Sequence, residues 1–166
     1  MDKSHFSLLE QQLSSLLEVL ASIPEHHSPS SALYKHLDLV ARYTASNLFG
    51  ENSKQSANLG FLGEINIPYF SMGAINSTHL FGLDELIIFS FYHNSRNIYQ
   101  SVADLGANIG LHTIVLSKLG YNVISYEPDP IHIKQIKYNI SKNSLDKHPQ
   151  LFNKAVSSSV GEVDFI

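Results

Sequence analysis

The chain has 166 residues, of which 43% are hydrophobic and 16% charged, with 15 acidic and 11 basic side chains and no cysteine. This composition can form a buried core and excludes wholesale disorder, and the lack of cysteine excludes disulfides, thiolate metal sites and a cysteine nucleophile. A formal charge of −4 gives no electrostatic basis for binding nucleic acid, and no apolar run approaches the roughly 20 residues that span a bilayer. We therefore expect a cytoplasmic protein without a membrane span.

The first part of the chain, residues 1–58, is predicted to be a helical region that ends in a polar linker. Leu9 and the apolar residues that follow it at steps of four and three, through Ile23, form the stripe of an amphipathic helix over residues 4–22. Pro24 and the pair of histidines after it predict a polar turn rather than a metal site.

A second helix is expected after this turn, with Ser30 or Ser31 as its N-cap and an end near Asn47. Its predicted apolar face consists of Leu33, Leu37, Val40 and Thr44. Residues 50–58 are polar and contain several residues that break helices, so they are the predicted linker.

Residues 59–96 are predicted to lead into the next region through a strand and a helix. Residues 65–70 alternate like a strand, and Pro68 restricts that strand to a sheet edge or marks its end. Residues 83–93 are apolar almost throughout and predict a short, mostly buried helix that is capped by Asp84.

Residues 97–166 show the alternation of strands and helices that is typical of a parallel sheet with right-handed crossovers. A strand over residues 98–103 is expected to end at Asp104, and a tight loop follows over residues 106–110. The helix after this loop is expected to end at Gly120, in the manner of a glycine C-cap.

A second strand is predicted over residues 121–126, with Glu127 at its carboxyl end. The next helix is expected to begin with Asp129 as N-cap and Pro130 as its first residue. Its apolar face consists of Ile133, Ile136 and Ile140. Two further short strands are expected, over residues 151–156 and 161–166.

The carboxyl ends of the first two strands of this sheet are the predicted binding site, because ligands of such sheets lie where the first loop and the second strand end meet. Gly106 and Gly110 allow the backbone to turn sharply and to approach a ligand closely. Glu127 follows at the spacing from which an acid of the second strand reaches ribose hydroxyls, which its two oxygens can accept as a pair. The pattern therefore indicates a nucleoside-containing cofactor.

The loop residues distinguish between two such cofactors. A dinucleotide loop has a middle glycine and binds a pyrophosphate anion, whereas this loop has Asn108 at that position and Asp104 two residues before Gly106. A carboxylate repels pyrophosphate but attracts the ammonium and sulfonium groups of S-adenosyl-L-methionine. The charge argument therefore favours S-adenosyl-L-methionine over a nicotinamide dinucleotide.

The same residues resemble a known protein family. The run Asp104-Leu105-Gly106-Ala107-Asn108-Ile109-Gly110-Leu111-His112-Thr113, the run Tyr126-Glu127-Pro128-Asp129-Pro130 and residues 120–123, 138–143 and 154–157 are similar to the FkbM family of S-adenosylmethionine-dependent methyltransferases. The resemblance covers residues 97–166 and, less specifically, residues 80–86. The N-terminal helices carry no motif of this family.

The resemblance implies a class I methyltransferase that methylates hydroxyl oxygens of sugars, glycolipids or natural products. The loop residues Asp104, Gly106, Ala107, Asn108 and Gly110 would line the methionine and ribose side of the cofactor, and Glu127 would bind the ribose hydroxyls. Asn139 is expected either to line the interior or to satisfy a loop backbone. No catalytic base can be named from these residues, and no metal is expected.

The chain departs from the family pattern because it contains only the first three or four strands of a seven-stranded core. The predicted fold class is thus α/β: an incomplete Rossmann-like parallel sheet preceded by an N-terminal helical region. We expect a truncated member or a fragment that carries the cofactor-binding half. Its first strand would present an unpaired apolar edge, through which self-association is expected.

Two other functions stay open at this point. One is a non-catalytic remnant or interaction module, in which the helical stretch from Leu9 to Ile23 binds a partner. The other is a fragment of a nicotinamide-dependent oxidoreductase, against which Asn108 and Asp104 both count.

Overall fold

The computed structural model describes residues 3–22 and 28–162. Over these residues the chain is a mixed α/β protein with five α-helices, a three-stranded parallel sheet and two small antiparallel sheets. It divides into two compact units, Met1–Ser95 and Arg96–Ile166. No helix within these described residues is long and apolar enough to cross a membrane.

The first unit contains three helices and two antiparallel strand pairs. The helices are α1 (Lys3–Ser22), α2 (Ala32–Phe49) and α3 (Leu83–Ser95). The strands are β1 (Ser56–Asn58), β2 (Glu64–Asn66), β3 (Ser71–Met72) and β4 (Ile75–Asn76), and short 3-10 helices occupy Gly60–Leu62 and Ser77–Phe81. Strand β1 pairs with β2, and β3 pairs with β4.

Helix α1 confirms the predicted amphipathic helix, and its leucine stripe is buried. Leu9, Leu13, Leu16, Leu17 and Leu20 are all at most 7% exposed. This stripe lies in the interior of its own unit, whereas Leu8 and Val19 of the same helix are 51% and 49% exposed. Ile23, the last residue of the predicted stripe, and the predicted turn up to His27 lie outside the described residues.

Helix α2 begins as predicted, and its buried residues are concentrated in its second half. The hydroxyl of Ser31, its N-cap, accepts a hydrogen bond from the Tyr34 amide at 3.0 Å. Of the predicted apolar face, Leu33 is 47% exposed, Leu37 and Val40 are partly buried, and Thr44 is buried. The buried residues are Ala41, Thr44, Ala45, Leu48 and Phe49, and the helix runs two residues past Asn47. Phe49 stacks on Phe81 with ring centroids 4.3 Å apart, which fixes that end in the core.

The strands of the first unit correct two predictions. The segment predicted as a linker, residues 50–58, contains β1, whose Ala57 is paired with Ile65 of β2. The strand predicted over residues 65–70 is only the three residues of β2 and ends before Pro68, which has no amide hydrogen to continue a ladder.

Helix α3 confirms the predicted buried helix, but Asp84 is not its cap. Asp84 lies in the first turn, and the amide of Leu83 instead donates to Asp38 Oδ1 of α2 at 3.1 Å. The other carboxylate oxygen of Asp38 accepts a 2.7 Å bond from Arg42 Nε. One carboxylate therefore joins the start of α3 to α2.

The second unit contains a parallel sheet and two helices. Its elements are β5 (Ser101–Leu105), α4 (Leu111–Lys118), β6 (Asn122–Tyr126), α5 (Pro130–Ser141) and β7 (Gln150–Phe152), with the strand order β5-β6-β7. The strand predicted over residues 98–103 begins three residues later and includes Asp104, and β7 is shorter than the strand predicted over residues 151–156. The predicted strand over residues 161–166 lies mostly outside the described residues.

The helix ends of this unit follow their local signals. Gly120, directly after the C-cap of α4, has a φ of 85° and an amide bonded to the Ser117 carbonyl. Asp129 caps α5 by accepting the Ile131 amide at 2.7 Å, and Pro130 is the first helical residue. Both predicted helix boundaries are confirmed.

One face of the parallel sheet is buried and the other is exposed. Val123 and Ser125 of β6 are buried, whereas Ile124 between them is 37% exposed. On β5, Leu105 is 59% exposed, and among the described residues this strand pairs only with β6. Parallel sheets usually have both faces covered, so this exposed face and the β5 edge are unusual features of the unit.

Asp38 provides a test of the helix packing in the first unit. Burial raises the pKa of its carboxyl, but the hydrogen bonds from Arg42 and from the Leu83 amide outweigh burial, so the pKa lies below its ordinary value. The ionised Asp38 carboxylate therefore stabilises the folded state fully above the unfolded-state pKa of about 3.9. This contribution is lost as the pH falls through the lower folded-state pKa. We expect Asp38→Ala to reduce the free energy of unfolding at pH 7 by about 1 kcal/mol, as loss of a cap does.

The measurement is urea unfolding of the wild type and Asp38→Ala between pH 7 and pH 3, with Glu51→Ala as a control at an exposed acid of the same unit. The difference between wild type and Asp38→Ala should shrink as the pH falls below about 4. A difference that stays constant over this range would show that the ionised carboxylate does not stabilise the helix pair.

Candidate functional site

The candidate site lies at the carboxyl ends of β5 and β6. The loop after β5 is attached to the end of β6, because the amides of Gly106 and Ala107 both donate to the Tyr126 carbonyl, at 2.9 and 3.1 Å. The loop then turns into α4, with the Gly110 amide bonded to the Ala107 carbonyl at 2.8 Å. The structure thus brings together the loop and strand end that the sequence analysis selected.

Three loop residues adopt the left-handed backbone conformation that favours glycine or asparagine. The φ angles are 78° at Gly106, 53° at Asn108 and 85° at Gly110. A Cβ at Gly106 would meet nothing within 4 Å, whereas one at Gly110 would lie 2.9 Å from Cγ2 of Ile136 on α5. Within the protein, the turn alone requires a glycine at position 106, whereas Gly110 also allows α5 to approach the loop.

Glu127 joins the loop to the start of α5. This side chain is 5% exposed, and its Oε2 accepts the Asn108 amide at 2.7 Å while Oε1 accepts the Asp129 amide at 2.9 Å. The position of Glu127 predicts a role toward ribose hydroxyls, whereas its role in holding the backbone is visible only in the structure. Since each carboxylate oxygen has two lone pairs, one backbone donor per oxygen leaves further accepting capacity on both.

Asp104 accepts a hydrogen bond from Thr113, which in turn contacts Ser125, and neither hydroxyl was predicted as part of the site. Its Oδ2 accepts a 2.6 Å bond from Thr113 Oγ1, and Thr113 Oγ1 lies 2.8 Å from Ser125 Oγ. Thr113 and Ser125 are at most 1% exposed, whereas Asp104 is half-buried. The one sign of this contact in the sequence is Ser125, a polar residue at a position of β6 where an apolar residue is expected on the buried face.

Asn139 is a second supporting residue of the loop. It is fully buried, and its Nδ2 donates to the Ile109 carbonyl at 2.8 Å while its Oδ1 accepts from Gln135 Nε2 at 2.9 Å. Of the two roles expected for Asn139, the structure supports that of satisfying a loop backbone. The neighbouring contacts of α5 are apolar, through Ile133, Ile136 and Ala107.

The side chain of Asn108 contains an unsatisfied buried acceptor. Its Oδ1 is buried and has no hydrogen-bond partner among the described residues. Buried polar atoms almost always find a partner, so an unpaired acceptor in a loop of this kind is a candidate ligand contact.

A groove of about 930 Å³ lies at the same end of the sheet. It is lined by Leu105, Tyr126, Pro128, Asn153 and residues 154–162. The rings of Tyr126 and Phe152 stack at 5.2 Å beside it, and Asn153 Nδ2 donates to the carbonyls of Glu127 and Pro128. Asp104 and Glu127 do not line this groove, but each is next in sequence to a residue that does: Leu105 follows Asp104, and Tyr126 precedes Glu127.

Acidic groups predominate around the loop. Asp104, Glu127 and Asp129 all lie at this end of the sheet, and His132 Nδ1 is 3.8 Å from Glu127 Oε1 and 3.9 Å from Asp129 Oδ2. Such a charge distribution favours a cationic ligand group over a phosphate. Over residues 3–22 and 28–162, no group of three or more histidine, aspartate or glutamate side chains is arranged to hold a metal ion.

The two loop glycines should differ in their tolerance of alanine. Both Gly106→Ala and Gly110→Ala place a Cβ on a left-handed residue, which costs about 1–2 kcal/mol. Gly110→Ala also forces the Cβ against Ile136 and should cost about 1–3 kcal/mol more, as overpacking does. The measurement is the free energy of unfolding of each variant in urea.

An Ile136→Ala background is the matched control for this comparison, because it removes Cγ2 and Cγ1, the two atoms that would lie 2.9 and 3.1 Å from the new Cβ. There the extra cost of Gly110→Ala should disappear. Equal losses for the two glycine variants in the wild-type background would contradict the close approach of α5 to the loop.

Comparison of the chain with profiles of protein families, with curated proteins and with solved structures finds no match. The resemblance to FkbM methyltransferases therefore stays a prediction. The evidence for a function is the geometry of the loop.

Proposed function

We propose that residues 97–166 form the cofactor-binding half of a Rossmann-like, S-adenosyl-L-methionine-dependent methyltransferase of the FkbM type. The single observation that carries the proposal is the 2.7 Å bond between the Asn108 amide and Glu127 Oε2, which holds the glycine loop of the first strand beside the acid of the second. A nucleoside cofactor needs both of these at one place.

The polar groups of the loop support this cofactor over a dinucleotide. Asp104 is half-buried with one oxygen bound by Thr113, so its carboxylate is fixed beside the loop as a partner for an ammonium group. The oxygens of Glu127 each have a lone pair beyond their backbone bond, which suits two neighbouring ribose hydroxyls. When bound, S-adenosyl-L-methionine supplies the methyl group that a hydroxyl oxygen of the acceptor attacks in line.

The role of this unit in such a reaction is binding and orientation. Gly106 leaves open space where a side chain would stand, so the loop backbone can be approached closely. The proposed acceptor is a hydroxyl of a small molecule or glycan. None of the described residues is assigned as the base that takes the hydroxyl proton.

The proposal is tested by calorimetric titration of the chain with S-adenosylhomocysteine. We expect saturable binding that Asp104→Asn weakens by about tenfold, or ~1.4 kcal/mol, because this change removes the charge while keeping the shape of the side chain. Asp146→Asn, the same change at an exposed position of the same unit, should leave the affinity unchanged. Glu127→Ala is less suitable, because it also removes the bonds that hold the loop.

Two outcomes would contradict the proposal. One is the absence of binding by a chain whose circular dichroism shows it to be folded. The other is tighter binding of a nicotinamide dinucleotide than of S-adenosylhomocysteine, which would favour the oxidoreductase.

A second candidate function, an interaction module, is supported by the exposed sheet face and the β5 edge. Ala103 and Leu105 are exposed on β5, and Ile124 is partly exposed beside them. An open strand with apolar side chains is a template for another strand, and a second copy of the chain presents the same edge.

Self-association through this edge should be visible by sedimentation velocity as a rise in the sedimentation coefficient with concentration. Leu105→Lys places a charge on the edge and should shift the chain toward the monomer. Leu39→Lys is the matched control, since Leu39 is 68% exposed on α2. Equal effects of the two variants, or a chain that stays monomeric throughout, would exclude the β5 edge as the contact.

A further inference from the structure

We propose that Thr113 and Ser125 are positioning residues that fix the Asp104 carboxylate for the ammonium group of the cofactor. This inference rests on the proposed function, and it adds two side chains from different elements to the site. Thr113 lies on α4 and Ser125 on β6, where it is the register partner of Asp104 on β5.

The direction of the two hydrogen bonds follows from the donors available. An ionised carboxylate only accepts, so the single hydroxyl proton of Thr113 is directed to Asp104 Oδ2 at 2.6 Å. The 2.8 Å contact between Thr113 and Ser125 then requires Ser125 to be the donor. The result is a chain of bonds from Ser125 to Thr113 to Asp104.

Because these hydrogen bonds are buried, they favour one orientation of the Asp104 carboxylate. Thr113 is 0% and Ser125 is 1% exposed, so water does not compete for either hydroxyl. A hydrogen bond to a charged group is about twice as strong as one between neutral groups. Oδ2 is thereby held toward the interior, and Oδ1 is left as the carboxylate oxygen for a cationic ligand.

The test compares two ligands that differ at the group Asp104 would bind. S-adenosylhomocysteine contains the amino-acid ammonium, and 5′-methylthioadenosine contains the nucleoside and sulfur without it. Thr113→Val, which removes the hydroxyl at nearly constant volume, should weaken binding of S-adenosylhomocysteine by about fivefold to tenfold. Binding of 5′-methylthioadenosine should stay within about twofold of the wild type, a change of less than ~0.5 kcal/mol.

Three further variants separate positioning from support of the fold. Thr113→Ser keeps the hydroxyl and should restore the affinity for S-adenosylhomocysteine. Ser125→Ala removes only the second bond and should have a smaller effect of the same kind. In an Asp104→Asn background, Thr113→Val should have no further effect, because the carboxylate on which it acts is gone.

The outcomes distinguish failure of this inference from failure of the proposed function. If the wild type binds neither ligand, the cofactor proposal itself is overturned. Suppose that Asp104→Asn weakens only the binding of S-adenosylhomocysteine. If Thr113→Val then weakens the binding of both ligands equally, or of neither ligand, the positioning role is overturned while the cofactor site stands. Should Thr113→Val not fold, Ser125→Ala with the same two ligands decides the question.

Discussion

The site depends on one buried carboxylate, that of Glu127. Burying a charged group is costly unless hydrogen bonds compensate it, and here the amides of Asn108 and Asp129 do so. The left-handed conformation of Asn108 belongs to the same arrangement, since the loop containing it presents its amide to Oε2. The loop after β5, the end of β6 and the start of α5 are therefore held by one side chain.

The sequence predicted features that depend on neighbouring residues and missed those that depend on distant ones. Ser31, Asp129 with Pro130, and Gly120 mark helix boundaries correctly, because caps and left-handed ends involve residues within one turn. In contrast, the partner of the Leu83 amide is Asp38, 45 positions earlier in the chain. Asp84 carries the local signal of a cap, but tertiary packing supplies a different carboxylate.

The same distinction holds within the site. Asp104 and Glu127 were selected because acids at strand ends are informative, and they do lie at adjoining strand ends. The partner of the Asp104 carboxylate could not be predicted, because it depends on which hydroxyl α4 brings to β5. Thr113 and Ser125 read as ordinary helix and strand residues until the crossover brings them together.

The uncovered edge of the sheet and the candidate site are physically connected. Asp104 and Leu105 are consecutive residues of β5, and the exposed Leu105 also lines the groove beside the loop. A strand that pairs with β5 would therefore cover apolar surface and lie next to the carboxylate proposed to bind the ligand. Any binding at this edge that favours one arrangement of the loop stabilises that arrangement. If association orders the loop, the ligand should promote it in return, because such coupling is reciprocal.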